Sequence, residues 1–140
     1  MPTDFRDAAE RHWDDAACLF SDNRPANADH LFGLSAECAL KAVMVGLRMA
    51  LLQDGAPQER QHRVHINELW DEFVNFAQGR GGSRYVVAIT GVSNPFSDWD
   101  ASQRYAHRTD ISIGAVSNHK NGAEKTITIL NLAILDGVVS

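Results

Sequence analysis

Three short stretches of this chain carry side chains whose types and spacing could do chemistry. Glu37 and Lys41 stand four residues apart, acid before base, the order that pairs them on one helical face. At the surface that is an ordinary ion pair; in the domain interior or at a dimer seam it is a polar spot able to bind. His62 and His65 are three apart, but they straddle an expected loop-to-helix junction with no cysteine or clustered carboxylate beside them, so no metal site is expected. His65 opens the next helix, as a cap, a loop residue or a ligand contact. The third stretch is the late basic cluster Arg104-Tyr105-Ala106-His107-Arg108. If it is helical, the three-residue step puts Arg104 and His107 on one face; a solvated basic patch, or an arginine paired with an acid, is the plainer reading. Tyr105 adds a ring, although Tyr105 and Trp99 alone do not make a stacking platform for bases.

Other chemistry is missing from the pattern. There is no glycine-rich phosphate loop of P-loop or dinucleotide type, and no CxxC, HExxH or GxSxG. No cofactor is expected.

The elements that must position these residues read as helices. From Asp29 to Leu52, one face is formed by Leu31, Leu34, Cys38, Ala42, Val45, Met49 and Leu52, and a second, nearly as apolar, by Phe32, Ala36, Leu40, Val43, Leu47 and Ala50. A helix apolar most of the way round is a buried one. The expected helix runs from Pro25 or Ala26 to Leu52, with Gly33 and Gly46 letting a neighbouring helix come close. Before it, residues 3–20 form an amphipathic helix capped by Thr3 or Asp4, and Ser21-Asp22-Asn23-Arg24-Pro25 breaks the chain. A third helix covers about 65–78, with Ile66, Leu69, Trp70, Phe73, Val74 and Ala77 inward. A last one starts between Asp110 and Asn118, with Ile113, Val116, Ala123, Ile127, Leu130, Ala133, Ile134 and Val138 inward. Residues 79–110 stay open between short helix, extended segment and ordered loop. The expectation is all-α: one domain over 1–140, a four- or five-helix bundle of up-and-down type.

Composition bounds the partners. Eighteen acids outnumber 13 bases for a net charge of −5, which disfavours non-specific duplex binding while leaving room for a local basic cleft. The best apolar run is interrupted by Glu37, Lys41 and Arg48, so no membrane span is expected. Met1-Pro2-Thr3-Asp4-Phe5-Arg6-Asp7 lacks the order of a secretion signal, giving an expectation of cytoplasm. Cys18 and Cys38, offset by roughly 13 Å along antiparallel helices, are expected as two free, buried thiols.

The element order brings in a family. A shorter helix, a turn, then a long helix carrying Ala36-Glu37-Cys38-Ala39-Leu40-Lys41-Ala42 resembles the HEPN domain family, whose second helix carries an Ala-Glu-x-Ala-Leu-Lys-Ala-like segment. His65-Ile66-Asn67-Glu68-Leu69 resembles, in weaker form, the histidine that opens the family's third helix. The resemblance covers most of the chain in element order, and about seven residues in motif. It implies a homodimer that is a non-catalytic nucleotide- or protein-binding accessory module, with Glu37, Lys41, His65 and Tyr105 as binding residues and a nucleotidyltransferase as a candidate partner protein. The alternative it implies is a metal-independent endoribonuclease toxin of a toxin–antitoxin pair. There an arginine would stabilise phosphate charge and a histidine would shuttle a proton during attack by the RNA 2′-hydroxyl. The family's ribonucleases place these two residues near the last helices with four to six residues between them. Here that spacing occurs at Arg6–His12, Arg24–His30 and Arg60–His65, all early; ten arginines and six histidines give roughly one such match by chance. The late pair, Arg104 and His107, departs from the spacing and is the catalytic candidate only on the ribonuclease reading.

Overall fold

The computed structural model describes residues 1–140 and is all-α. Its helices are α1 (Phe5–Ser21), α2 (Pro25–Gly46), α3 (Ile66–Gln78), α4 (Ser83–Val87) and α5 (Ile113–Leu135), with 3₁₀ turns at Arg60–His62, Ala101–Tyr105 and Arg108–Asp110. No helix is long and apolar enough to cross a membrane.

Local chemistry sets the ends of the first hairpin. The Asp4 carboxylate accepts the Asp7 N–H at 3.0 Å and starts α1. At its far end Asn23 adopts φ +58°, and the amides of Arg24 and Asn23 turn back onto the carbonyls of Leu19 and Phe20, a left-handed helix stop that asparagine tolerates. Pro25 then opens α2, where a missing N–H leaves nothing unsatisfied. Small residues let the two helices lie close: Ala9, Ala16, Ala28, Ala36 and Ala39 are all fully buried. Ser35 Oγ donates to the Ala9 carbonyl at 2.8 Å across the seam.

α2 is the central element, packed against α1, α3 and α5. Its most buried side is the one with Phe32, Ala36, Leu40 and Val43, each at 0 % exposure, while Leu31, Leu34, Cys38 and Val45 are only partly covered.

The helix stops at Gly46, six residues before the expected Leu52. Arg48 takes φ +72°, and the amides of Met49 and Arg48 close onto the carbonyls of Met44 and Val45. The C-terminal residues pack closely at this end: a Cβ on Gly46 would lie 2.5 Å from the Val138 carbonyl oxygen. Residues 51–57 form a tight reversal, with an isolated antiparallel bridge between Leu51 and Pro57, and Ala50, Leu51 and Leu52 are exposed.

Residues 79–110 resolve into the short helix α4 and an ordered loop. Tyr85, Val86 and Ile89 point inward, and Phe96 and Trp99 insert into the core at 0 % and 1 % exposure. α5 runs unbroken through Gly122, whose missing side chain admits Pro95 and Phe96. Its inward side contains His119, Thr126 and Ile129 in addition to the expected stripe, whereas Ile113 is 57 % exposed. Both cysteines are free; Cys38 is partly buried, but Cys18, expected to be buried, lies on the exposed side of α1.

Candidate functional site

Three of the four binding candidates come together at one place. Lys41 Nζ lies 2.8 Å from Glu37 Oε1, and His65 Nδ1 lies 3.0 Å from Glu37 Oε2. The Glu37 and Lys41 side chains are 11 % and 7 % exposed, so the pair belongs to the interior and not to the surface. One turn along α2 is the spacing that makes this pair. His65 reaches it from the start of α3, with extended backbone (φ −83°, ψ 172°) and a side chain 55 % exposed. Because an ionised carboxylate only accepts, Glu37 fixes the proton on Nδ1 and leaves His65 Nε2 free to act on something else.

Trp99 joins this pair to the other bases. Its indole lies flat on Gly33, where a Cβ would come within 2.1 Å of the ring, so what the glycine admits is a side chain and not a neighbouring helix. Its N–H donates to the Asp29 carbonyl at 3.1 Å. His30 stacks on Trp99 at 5.8 Å between ring centroids, and His65 meets it edge-on at 6.3 Å. Burial lowers the His30 pKa, with the positive charges of Arg104, His12 and His65 adding to that effect. Burial and Arg11 likewise lower His12, which feels Glu37 as well. His12, His30, His65 and Arg104 therefore share one electrostatic neighbourhood, supplied by α1, α2, the start of α3 and the Ala101–Tyr105 turn.

In this neighbourhood Glu37, Asp29 and Asp100 are engaged, while Arg104 and one nitrogen of His30 are not. Glu37 holds Lys41 and His65. Asp29 accepts from His119 Nδ1 at 2.6 Å and from Gln103 Nε2 at 2.5 Å. Asp100 caps its 3₁₀ turn through the Ser102 amide at 2.7 Å, and the bonds from Ser102, with His65 and Arg104 contributing, hold its carboxyl below the usual range. Arg104, by contrast, donates only to the Ala101 carbonyl and lies over the Tyr105 ring, and it forms no ion pair. His30 Nδ1 is buried with no hydrogen-bond partner. An arginine without an ion pair, beside carboxylates that are already engaged, is suited to receiving an anion.

Arg104 and His107 do not share a helical face. The 3₁₀ turn ends at Tyr105, Ala106 is extended, and His107 begins the next turn, its Nδ1 accepting from the Thr109 amide. Tyr105 is 78 % exposed and touches the site only through Arg104. His62 and His65 also diverge: the His62 ring is buried edge-on against Phe76, with Nε2 3.4 Å from Glu72 Oε1 and poorly aligned for a hydrogen bond. Sequence reasoning missed His12 and His30, which it met only as chance partners of Arg6 and Arg24. It also missed Asp29, Asp98 and His119, whose sequence separation hides their contact.

Two concavities lie elsewhere, one lined by Phe5, Val45 and Val138 and another beside His62 and Glu72. In the base cluster, His65 and Arg104 are exposed and His12 and His30 partly buried. Fold and site together define a class: a small all-α bundle with a partly exposed basic cluster built on a buried acid–base pair. Comparison with family models, curated proteins and solved structures finds no match to the chain.

Proposed function

We propose that this chain is a HEPN-like, non-catalytic binding module, working as a homodimer, that takes a phosphate-bearing ligand of the nucleotide class at the cluster of His12, His30, His65 and Arg104. The observation that carries this reading is the imbalance there: Glu37, Asp29 and Asp100 each have partners, while Arg104 forms no ion pair and His30 Nδ1 has no hydrogen-bond partner. A phosphate would supply an anionic acceptor to Arg104, and charge-assisted hydrogen bonds are about twice as strong as neutral ones. The exposure of His65 and Arg104 leaves them open to a phosphate approaching from solvent.

Thermal melting against a panel of nucleotides tests this. A ligand at 100 times its dissociation constant adds about 2.7 kcal/mol to stability. The expected result is a rise in Tm that Arg104→Ala removes and His107→Ala leaves intact. No shift with any nucleotide defeats the reading. Light scattering at micromolar concentration tests the dimer.

One observation favours the ribonuclease alternative: Glu37 orients His65 while Nε2 stays free, next to imidazoles kept neutral and a cation for phosphate charge. Acid–base work would then fall to His65 with Arg104, not to His107. Growth arrest on expression in a bacterial host, relieved by His65→Ala, supports it; harmless expression without RNA cleavage removes it.

A further inference from the structure

His119 is the one imidazole held at both ends by acids. Nδ1 lies 2.6 Å from Asp29 Oδ1 and Nε2 lies 2.7 Å from Asp98 Oδ1. Ionised carboxylates offer no proton, so both ring nitrogens must donate and the ring must be an imidazolium. It sits at 2 % exposure, stacked on Phe96 at 5.4 Å between centroids. The two carboxylates differ sharply, since Asp29 is 2 % exposed and Asp98 is 60 % exposed.

The other neighbours leave these two acids in control. The Ala101–Tyr105 turn presents the neutral Gln103, while the charge of Arg104 acts on His30. α1 meets α5 through Phe20 beneath Lys120, and α4 meets its far end through Arg84 on Asp136. Burial works to lower the His119 pKa, and the bonds to Asp29 and Asp98 outweigh it and raise it.

We propose that His119 is a proton-operated latch on the binding site. As the imidazolium it ties Asp98 to Asp29 and holds residues 98–105 against α2; as the neutral ring it lets Asp98 go and loosens that segment with Arg104. A neutral ring keeps one donor, so one carboxylate must face a lone pair. The buried Asp29, already bonded to Gln103, has nowhere else to turn, whereas Asp98 can pass into water. Directly after Asp98 in the chain come Trp99, bonded to Asp29, and Asp100, which caps the turn carrying Arg104. Residues 94–97 stay anchored by Asn94 on the Asn67 carbonyl and by buried Phe96, so the fold survives the release. That the latch governs ligand binding rests on the proposed site; that it governs the segment does not.

Hydrogen exchange monitored by NMR separates the two. Protection factors for the Trp99 indole N–H and the Gln103 amide are measured from about pH 6 to about pH 9, spanning the region above the usual histidine value of ~6.5. Titration of the His119 ring and binding of inorganic phosphate are measured alongside. The expected result is a drop in protection of about tenfold or more, tracking loss of the His119 proton. Asp98→Asn, at an exposed position, moves that drop to lower pH because one carboxylate favouring the charged ring is gone. Flat protection, or a drop whose midpoint Asp98→Asn does not move, overturns the latch. If the drop behaves as expected but phosphate binds at no pH, the latch stands and the site reading falls.

Discussion

His65 Nδ1 lies 3.0 Å from Glu37 Oε2, joining a residue at the start of α3 to a carboxylate buried in the middle of α2. The other oxygen of that carboxylate holds Lys41 at 2.8 Å. One acid therefore neutralises a buried ammonium and orients an exposed imidazole. The same residue serves the core and the site.

Removing that acid should be far more damaging than replacing the whole pair. Glu37→Ala leaves the Lys41 charge buried and unpaired, and breaking one side of such a pair costs about 3–5 kcal/mol. Glu37→Leu combined with Lys41→Met should recover most of that loss, because a well-packed apolar pair avoids the desolvation penalty. Urea unfolding of the single and double variants measures both. Equal losses in the two would show that packing, and not charge, sets the cost.

Gly33→Ala should unseat Trp99. The added Cβ would lie 2.1 Å from the indole, with no flexible side-chain end able to give way. Overpacking of this kind costs roughly 1–3 kcal/mol. The indole N–H should also lose its bond to the Asp29 carbonyl, visible as a shifted NMR resonance. An unchanged resonance at unchanged stability would contradict the close seating of the ring on α2.

Stability should fall on both sides of a mid-range optimum in pH. Burial lowers the pKa of His12 and His30, with Arg11 acting on the first and Arg104 on the second. Their contribution is full above the unfolded value of ~6.5 and is lost as pH falls through their lowered folded values. His119 runs the other way: burial pulls it down, but Asp29 and Asp98 raise it further. Its contribution is full below ~6.5 and is lost as pH rises through the raised folded value. Urea midpoints across pH give the curve. Replacing His119 by Gln should flatten the alkaline limb and leave the acid limb in place.

The two thiols should react at very different rates. Cys18 is exposed, while burial, with Glu37 adding to it, pushes the Cys38 pKa up to about 12. The thiolate is the reactive form, so an aromatic disulfide reagent at neutral pH should label one cysteine per native chain and two after denaturation. Two fast equivalents in the native protein would mean that α2 is open to solvent at Cys38.

Helical character is written along the chain because periodicity is local. Phe32, Ala36, Leu40 and Val43 announce a buried side wherever they pack, and Asp4 and Pro25 mark helix starts through their own bonding preferences. The end of α2 is less legible: its apolar pattern continues past Gly46, while the helix ends in a left-handed turn at Arg48, with Val138 from the other end of the chain packed on Gly46. The segment from 79 to 110 lacks a period altogether. Its conformation comes from Phe96 and Trp99 finding space over Gly122 and Gly33, which no local pattern encodes.

By itself, then, the sequence determined the all-α class, the order of the long helices and the Glu37–Lys41 pair, all of which depend on residues a few positions apart. Tertiary structure alone decided that the pair is buried, that His65 joins it, that Arg104 belongs with His30 and not with His107, and that His119 links Asp29 to Asp98. The physical reason is distance along the chain: a hydrogen bond across 90 residues, like that between Asp29 and His119, depends on how whole helices pack, and packing is a property of the assembled core.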